Sequence, residues 1–191
     1  MSDRLFFGLW PDDALRRILA SRVPDLIGEY PCKPQRPDQW HLTLEFLGNV
    51  EAARQPALHA AVLQALQALQ ALGSMGVSEE ELIFDRLEHW ARPEVLCLVA
   101  STVPPGLARL VVALRAALAE RGFEPERREF RPHLSLARKA RRRVSARPVE
   151  ALPWPVRTLV LARSVSDAAG SRYEPLASWN VARTLTPALS H

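Results

Sequence analysis

One tetrapeptide pattern, His-Leu-(Thr or Ser)-Leu, occurs twice in the sequence, at residues 41–44 and 133–136. In an extended strand, alternate side chains share a face, so each copy places an imidazole and a hydroxyl on one side and two leucines on the other. A single copy would be typical of any half-buried strand. Two copies predict two strands that each have one face for the core and one for a polar site.

The same order of elements precedes each copy. A short apolar run comes first, then a proline, then a segment with helical periodicity. This repetition predicts two related halves, and a pseudo-twofold axis between them would bring the two histidines into one groove. The first half has these elements at residues 5–9, 11 and 12–23, and the second has them at 95–100, 104 and 107–121.

The remaining periodicities complete an α+β prediction. We expect two pseudo-symmetric lobes, each a mainly antiparallel sheet with outer helices, and an active-site groove between them, all within a single bilobal domain of residues 1–191. Glycine and proline punctuation predicts an irregular connection over residues 24–37. The other predicted elements are a helix over residues 51–72 that ends at Gly73, strands over 81–90 and 94–100, a final strand pair over 156–165 and 172–181, and a frayed tail after 184.

The chain is basic, with a formal net charge of +4 and a sequence pI of about 9.7 over 191 residues. This charge favours an anionic partner such as nucleic acid, although an arginine-rich composition without any partner explains it equally well. A run of basic residues over 138–143, followed by Arg147, predicts an exposed loop. The loop would either grip RNA phosphates or remain simply solvated.

The cysteines and the N-terminus exclude several classes of protein. Cys32 and Cys97 lie far apart without a Cys-x-x-Cys spacing, so neither a disulfide framework nor a thiolate zinc site is expected. The sequence shows no signal-peptide pattern and no apolar run of roughly twenty residues that could span a membrane. We therefore expect a cytoplasmic protein without a membrane partner.

The motifs and their flanking residues resemble a known family over nearly the whole chain, from Arg4 to about Trp179. The family is the RNA 2',3'-cyclic phosphodiesterases of the two-histidine phosphoesterase superfamily, historically called bacterial 2'-5' RNA ligases. One departure is Ser135, where threonine is commoner, and it keeps the hydroxyl with a looser rotamer. The resemblance rests on Arg4-Leu5-Phe6-Phe7, His41-Leu42-Thr43-Leu44-Glu45-Phe46-Leu47-Gly48, Gly122-Phe123, Pro132-His133-Leu134-Ser135-Leu136-Ala137-Arg138 and Gly170-Ser171-Arg172-Tyr173.

Phosphodiester cleavage needs a base, an acid and donors that stabilise charge on the phosphoryl oxygens. His41 and His133 suit the first two needs near neutral pH, because one imidazole can be neutral while the other is protonated. Thr43, Ser135 and Arg138 suit the third. We predict these five side chains as the site, with no metal or other cofactor.

The resemblance adds a substrate and further roles. It implies RNA or nucleotides with 2',3'-cyclic phosphate ends, which water opens to 2'-phosphate ends, and the reverse reaction with a 5'-hydroxyl would form a 2'-5' bond. It implies His41 as the proton donor and His133 as the proton acceptor. It also places Phe7 at a position associated with contact to the nucleotide, although a core aromatic explains this residue at least as well. A monomer without an obligatory protein partner is expected.

Two other functions compete with this prediction. A metal-dependent hydrolase is disfavoured, because Glu45 and Glu129 are expected to point to the face opposite the histidines. A non-catalytic basic RNA-binding protein is supported by the charge, but the sequence has neither an aromatic stacking motif nor a basic helix typical of such modules. His59, His89 and His191 are not predicted to be catalytic.

Overall fold

The computed structural model describes residues 2–28, 30–71, 80–167 and 170–181. Within these ranges the chain forms strands and helices in an order that begins β-α-β. The strands are β1 (Ser2–Leu9), β2 (Lys33–Pro34), β3 (Leu42–Glu51), β4 (Glu81–Trp90), β5 (Val95–Val99), β6 (His133–Arg138), β7 (Arg147–Pro155), β8 (Thr158–Asp167) and β9 (Gly170–Asn180), and the helices are α1 (Asp13–Ile27), α2 (Gln55–Ala71) and α3 (Pro105–Ala119).

The strands form one sheet in the order β7-β4-β5-β6-β3-β1-β8-β9, with the short β2 paired to β6. Every pair is antiparallel. The two strands that follow or contain the histidines, β3 and β6, are adjacent at the centre and are joined through the single residue pair Leu42 and Leu134. The sheet therefore has two four-stranded halves that meet at the two motifs.

The two faces of the sheet differ. Leucines of both motifs, such as Leu42 and Leu134, belong to the large core cluster that the helices cover. The opposite side, which we call the open face, carries Phe6, Val160 and Ala162 in one half and Val95, Cys97 and Val99 in the other.

Each half contributes a helix to the other half. The helix that follows β1, α1, packs against β6, and the helix that follows β5, α3, packs against β3 and α2. Burial of the apolar stripe Leu15, Leu19, Val23 and Ile27 fixes α1 on the sheet. The histidine-bearing strand of each half is thus supported from behind by the helix of the other half.

The predicted fold class is confirmed, since helices cover a large antiparallel sheet. The prediction that α1 ends at residue 23 is wrong, because the helix continues through Pro24 to Ile27. Burial of Ile27 extends the apolar stripe by one turn, and this outweighs the hydrogen bond that the proline lacks. Strand β7 was not predicted, since Pro148, Pro153 and Pro155 disfavour a strand, but β7 lies at the sheet edge, where proline is tolerated.

The other boundaries agree within a few residues, except that α2 begins at Gln55 after a short 3-10 turn at Ala52–Arg54. The predicted helix end at Gly73 and the predicted tail lie outside the described residues. Among the residues that are described, no helix is long and apolar enough to cross a membrane.

Candidate active site

The two motif histidines are held by equivalent hydrogen bonds. His41 Nδ1 lies 2.7 Å from the carbonyl oxygen of Gln39, and His133 Nδ1 lies 3.0 Å from the carbonyl oxygen of Arg131. A carbonyl oxygen only accepts, so each Nδ1 must carry the proton. In the neutral ring, each Nε2 therefore has a lone pair that can accept a proton. Once protonated, the same nitrogen can donate that proton.

Three aromatic rings surround His41. Trp10 stacks on the imidazole with centroids 5.3 Å apart, Tyr173 meets it edge-on at 4.5 Å, and Phe6 lies at 5.0 Å. Tyr173 comes from β9 and Phe6 from β1, so two strands of one half position the ring. This cage fixes the orientation of the imidazole and shields it from water.

His133 has a more polar environment. Trp90, at the end of β4, lies 4.5 Å from its ring, and the guanidinium of Arg131 lies 5.4 Å above the Trp90 ring. Arg131 also forms an ion pair with Glu88 at 2.7 Å. One histidine therefore lies among aromatic rings and the other beside charged groups.

Burial lowers the pKa of His41 from its ordinary value of 6.5 to about 4. The hydrogen bond to Gln39 opposes this effect, while the nearby positive charges of His133 and Arg138 add to it. The pKa of His133 is also lowered, mainly by burial and then by the charges of Arg131 and Arg138, against its hydrogen bond to the Arg131 carbonyl. Both imidazoles are thus biased towards the neutral form in the ligand-free protein, and the charge of His133 acts on His41 across the junction.

A β-bulge in each motif strand redirects a side chain towards the site. Between β5 and β6 the pairing shifts so that Leu136 is the extra residue, and Arg138 then pairs with Val95 of the open face. Arg138 is five residues after His133, so regular alternation would place it on the other face. The bulge brings the guanidinium to the face of the histidines, which agrees with its effect on both pKa values.

The first motif strand has the equivalent bulge. Its extra residue is Leu44, because Gly8 pairs with Thr43 and Phe7 with Glu45. Phe46 then lies opposite Phe6 on the open face, five residues after His41, where its side chain is 44% exposed. In the pseudo-symmetric arrangement, Phe46 occupies the position that Arg138 has in the second half.

Thr43 and Ser135 each lie two residues after their histidine, before the bulge, and both are half-buried. Ser135 pairs with Cys97 of the open face, so its hydroxyl lies on the same side as His133. Beside the histidine junction is a cavity of about 510 Å³, which Thr43, Phe46, Trp90 and His133 line. Thr43 of one motif and His133 of the other therefore border one cavity.

The Leu44 bulge also turns Glu45 away from the histidines. Glu45 is four positions after His41, an even offset, so alternation along an unbroken strand would place both on one face and does not support the expected direction. Instead Glu45 accepts hydrogen bonds from Arg115 Nε at 2.7 Å and from the backbone N–H of Glu126 at 2.6 Å. Its predicted direction is therefore confirmed, but the bulge is the cause, not alternation.

The structure corrects the expectation for Phe7. This side chain is fully buried in the helix-covered core and packs against Trp179, with ring centroids 6.1 Å apart. Its neighbour Phe6 is the residue of β1 that contacts His41. Because the apolar run of β1 is buried on both faces, its sequence does not indicate which phenylalanine faces the site.

Several site residues were missed by sequence reasoning, namely Trp10, Glu88, Trp90 and Arg131. Trp10 follows β1 immediately and Trp90 ends β4. A tryptophan at the end of a strand in each half was therefore the sequence signal that could have indicated these two site residues. Two histidines not predicted to be catalytic lie elsewhere: His59 contacts Trp179, and His89 Nε2–H donates to the carbonyl of Ala140 at 2.7 Å.

Comparisons with known proteins agree with this geometry. Residues 9–94 match the family described as LigT like Phosphoesterase. The RNA 2',3'-cyclic phosphodiesterase of Escherichia coli (strain K12) is 30% identical over 182 residues, which are 92% of this chain and 95% of that protein.

Solved structures are similar over the same extent. The crystal structure of E. coli LigT complexed with 3'-AMP is 27% identical, has a TM-score of 0.79, and the match covers 96% of this chain and 100% of that one. TT0787 of Thermus thermophilus is 25% identical with a TM-score of 0.67, over 94% and 98% of the two chains. Sequence, fold and paired histidine motifs all lead to one conclusion: the chain belongs to the LigT-like phosphoesterase family.

Proposed function

We propose that this protein hydrolyses the 2',3'-cyclic phosphate ends of RNA or nucleotides to 2'-phosphate ends, without a metal ion. One observation carries the proposal: two imidazoles from the two halves meet at the sheet junction, each with Nδ1–H bound to a carbonyl and Nε2 left for the substrate. A proton acceptor and a proton donor on opposite sides of a phosphate are what an in-line displacement requires. The E. coli relative is named an RNA 2',3'-cyclic phosphodiesterase, which supports the substrate class.

The acceptor removes a proton from water as the water attacks phosphorus, and the donor protonates the 3' oxygen as its bond to phosphorus breaks. The family resemblance assigns His133 as acceptor and His41 as donor. With a pKa of about 4, His41 is neutral near pH 7 in the ligand-free protein. The anionic phosphate must therefore raise the pKa of His41 when substrate binds, since an opposite charge nearby favours the charged imidazole.

Three further side chains serve the phosphoryl oxygens in this proposal. Thr43 and Ser135 follow the histidines at equivalent positions, and their hydroxyl groups would donate hydrogen bonds to these oxygens. Arg138, brought to the open face by its bulge, adds a positive charge that is felt at both histidines. These donors stabilise the negative charge that builds up as water attacks.

The nucleotide itself has a place beside the histidines. The exposed ring of Phe46 borders the 510 Å³ cavity that reaches Thr43 and His133, which suits stacking against a base. The basic loop after Arg138 would contact phosphates further along an RNA chain. With a 5'-hydroxyl in place of water, the same site would join two RNA ends through a 2'-5' bond.

We further propose that residues 1–191 act as a single bilobal domain. The pair Leu42–Leu134 and the exchanged helices support this, because each motif strand depends on both halves. We also propose that the protein is cytoplasmic and that it is a monomer.

The test is incubation of the protein with a 2',3'-cyclic nucleotide in excess chelator, followed by ³¹P NMR of the product. We expect turnover that the chelator does not reduce, with the 2'-phosphate as the only product. A 3'-phosphate product would refute the proposed direction of opening. Tight RNA binding without any turnover would favour the non-catalytic RNA-binding alternative instead.

A further inference from the structure

The two histidines are fixed through corresponding carbonyls, but the residues that supply those carbonyls are anchored differently. Gln39 is held by a neutral hydrogen bond from its side-chain Nε2 to the carbonyl of Ser171, at 2.5 Å. Arg131 is held by an ion pair, in which its Nη2 atom lies 2.7 and 2.8 Å from the two carboxylate oxygens of Glu88. The position of His133 thus depends on a charged group, whereas the described contacts of the Gln39 side chain are with the backbone of Arg36 and Ser171.

Glu88 also binds the aromatic neighbour of His133. Glu88 and Trp90 lie two residues apart on β4, opposite Cys97 and Val95 of the open face. Trp90 Nε1–H donates to Glu88 Oε2 at 3.0 Å, and the Trp90 ring packs against His133 at 4.5 Å. A closed circuit of contacts results, running from His133 through Arg131, Glu88 and Trp90 back to His133.

We propose that Glu88 is a positioning residue for His133, acting through the backbone carbonyl of Arg131 and the ring of Trp90. This inference rests on the proposed function of His133. The carboxylate holds both partners of the imidazole at once, one by ion pairing and the other by accepting a hydrogen bond. The Glu88 side chain is only 14% exposed, whereas its partner Arg131 is 56% exposed.

If Glu88 only stabilised the fold, its loss would lower the free energy of unfolding and leave the orientation of His133 unchanged. Arg131 is 56% exposed, and a partly exposed ion pair contributes little to stability, because water screens it. Loss of Glu88 should therefore leave the fold intact. It should nevertheless release the ring of His133, because the carbonyl of Arg131 and the indole of Trp90 would both lose their anchor.

The charges around His133 give a second, independent readout. The charges that act on the pKa of His133 are those of Arg131, in the preceding segment, and Arg138, on its own strand, and His133 in turn lowers the pKa of His41. Glu88 lies 2.7 Å from Arg131 and 3.9 Å from Arg86. Arg131 lowers the pKa of His133, and Glu88 balances that positive charge. Without Glu88, the pKa of His133 should fall further, while that of His41 should change little.

The experiment compares Glu88→Gln and Trp90→Phe with the matched control Glu150→Gln. Glu150 also pairs with an arginine, Arg22, at 2.8 Å, but on α1 and β7 and without a link to either histidine. We expect Glu88→Gln to lower kcat by roughly 10- to 100-fold, the range typical for losing a partner that orients a functional histidine, with a smaller change in KM. Trp90→Phe keeps a ring beside His133 but not the indole N–H, so its loss should be smaller.

Imidazole ¹⁵N NMR of the ligand-free variants completes the test. In Glu88→Gln the titration of His133 should move to lower pH, and its Nδ1–H signal should broaden, with His41 as internal reference. Equal kcat and equal His133 titrations in Glu88→Gln and Glu150→Gln would overturn the proposal. If Glu88→Gln failed to fold, the same comparison of Trp90→Phe with the control would decide. The titrations need no substrate, so a protein that hydrolyses no cyclic nucleotide would refute the proposed function without affecting this measurement.

Discussion

Gly8→Ala should damage both the stability and the activity of this protein, because Gly8, on β1, pairs with Thr43 of the first motif strand. A Cβ atom at Gly8 would lie 2.8 Å from the carbonyl oxygen of Leu42 and 3.2 Å from the ring of Trp10. Carbon–oxygen contacts in proteins are about 3.3–3.6 Å even when they are attractive. The backbone of β3 would therefore have to move by roughly 0.5–0.8 Å.

The size of the effect follows from this displacement. Forcing an extra carbon into a packed core costs about 1–3 kcal/mol. Alanine recovers about 0.4–1 kcal/mol by restricting the unfolded chain. The net loss of about 1–2 kcal/mol should lower Tm by roughly 2–8 °C for a chain of this size.

Activity should fall as well, because the displaced groups hold His41. Leu42 follows His41 directly, and Trp10 stacks on its ring. A misplacement of 1 Å can cost about 10²-fold in rate, so a shift of half to three quarters of that distance should lower kcat by roughly tenfold.

The assay combines thermal unfolding with hydrolysis of a cyclic nucleotide, and Gly106→Ala is the matched control. A Cβ at Gly106 would come just as close to a neighbour, 2.7 Å from Glu80 Oε2. That oxygen, however, is the end of a flexible side chain, which accepts a hydrogen bond from the Gly106 N–H at the start of α3. The control should lose at most the value of a helix cap, about 1 kcal/mol, with kcat unchanged. A Gly8→Ala protein as stable and as active as the wild type would refute the reasoning.

Three other perturbations follow from the structure. Arg115→Ala leaves the buried carboxylate of Glu45 without its ion-pair partner and should lower the free energy of unfolding in urea by about 3 kcal/mol, whereas an unchanged midpoint would contradict the account. The unfolded state protonates His41 near pH 6.5 but the folded state only near pH 4, so this contribution to stability is complete above pH 6.5 and is lost as the pH falls towards 4. The loss, up to about 3 kcal/mol, should be smaller in His41→Gln when both proteins are unfolded at a series of pH values. Replacing the arginines at 141–143 with glutamine should make RNA binding less dependent on salt, with the slope of log K against log salt reduced by up to about 2, and an unchanged slope would show that the loop is only solvated.

The meeting of the two histidines could be predicted because it depends on repetition. Two strands of the same pattern, each preceded by a strand and a helix, imply two similar halves whichever way the halves pack. His41 and His133 follow from that logic, and so do the hydroxyls two residues after each. The family resemblance reached the same residues from flanking sequence.

The bulges could not be predicted from the sequence. For that reason the sequence also could not show that Arg138 and Phe46 lie on the open face. Each inserted residue is the second leucine of a motif that otherwise alternates regularly, so nothing in the residue types marks where the pairing shifts. Arg138 was selected through resemblance, and only the register of β5 and β6 explains why it lies on the open face. The same effect reversed Glu45, for which simple alternation gives the wrong face.

The surroundings of each histidine depend on tertiary packing between distant segments. Tyr173 reaches His41 from β9, and Glu88 reaches Arg131 from β4, with sequence separations that no local pattern encodes. The resemblance gave Phe7 as the nucleotide contact, with a core role as the alternative. The sequence could not decide between them or point to Phe6, since both faces of β1 are buried and period-2 alternation is absent from its sequence.

Whether His41 and His133 act together as acid and base is decided by kcat for cyclic nucleotide hydrolysis in His41→Ala, His133→Ala and the double variant. We expect each single substitution to lower kcat by about 10² or more. The double substitution should cost far less than the product of the two losses, because both groups serve one transition state. Activity that persists in both single variants would contradict the claim and show that the paired motifs are structural.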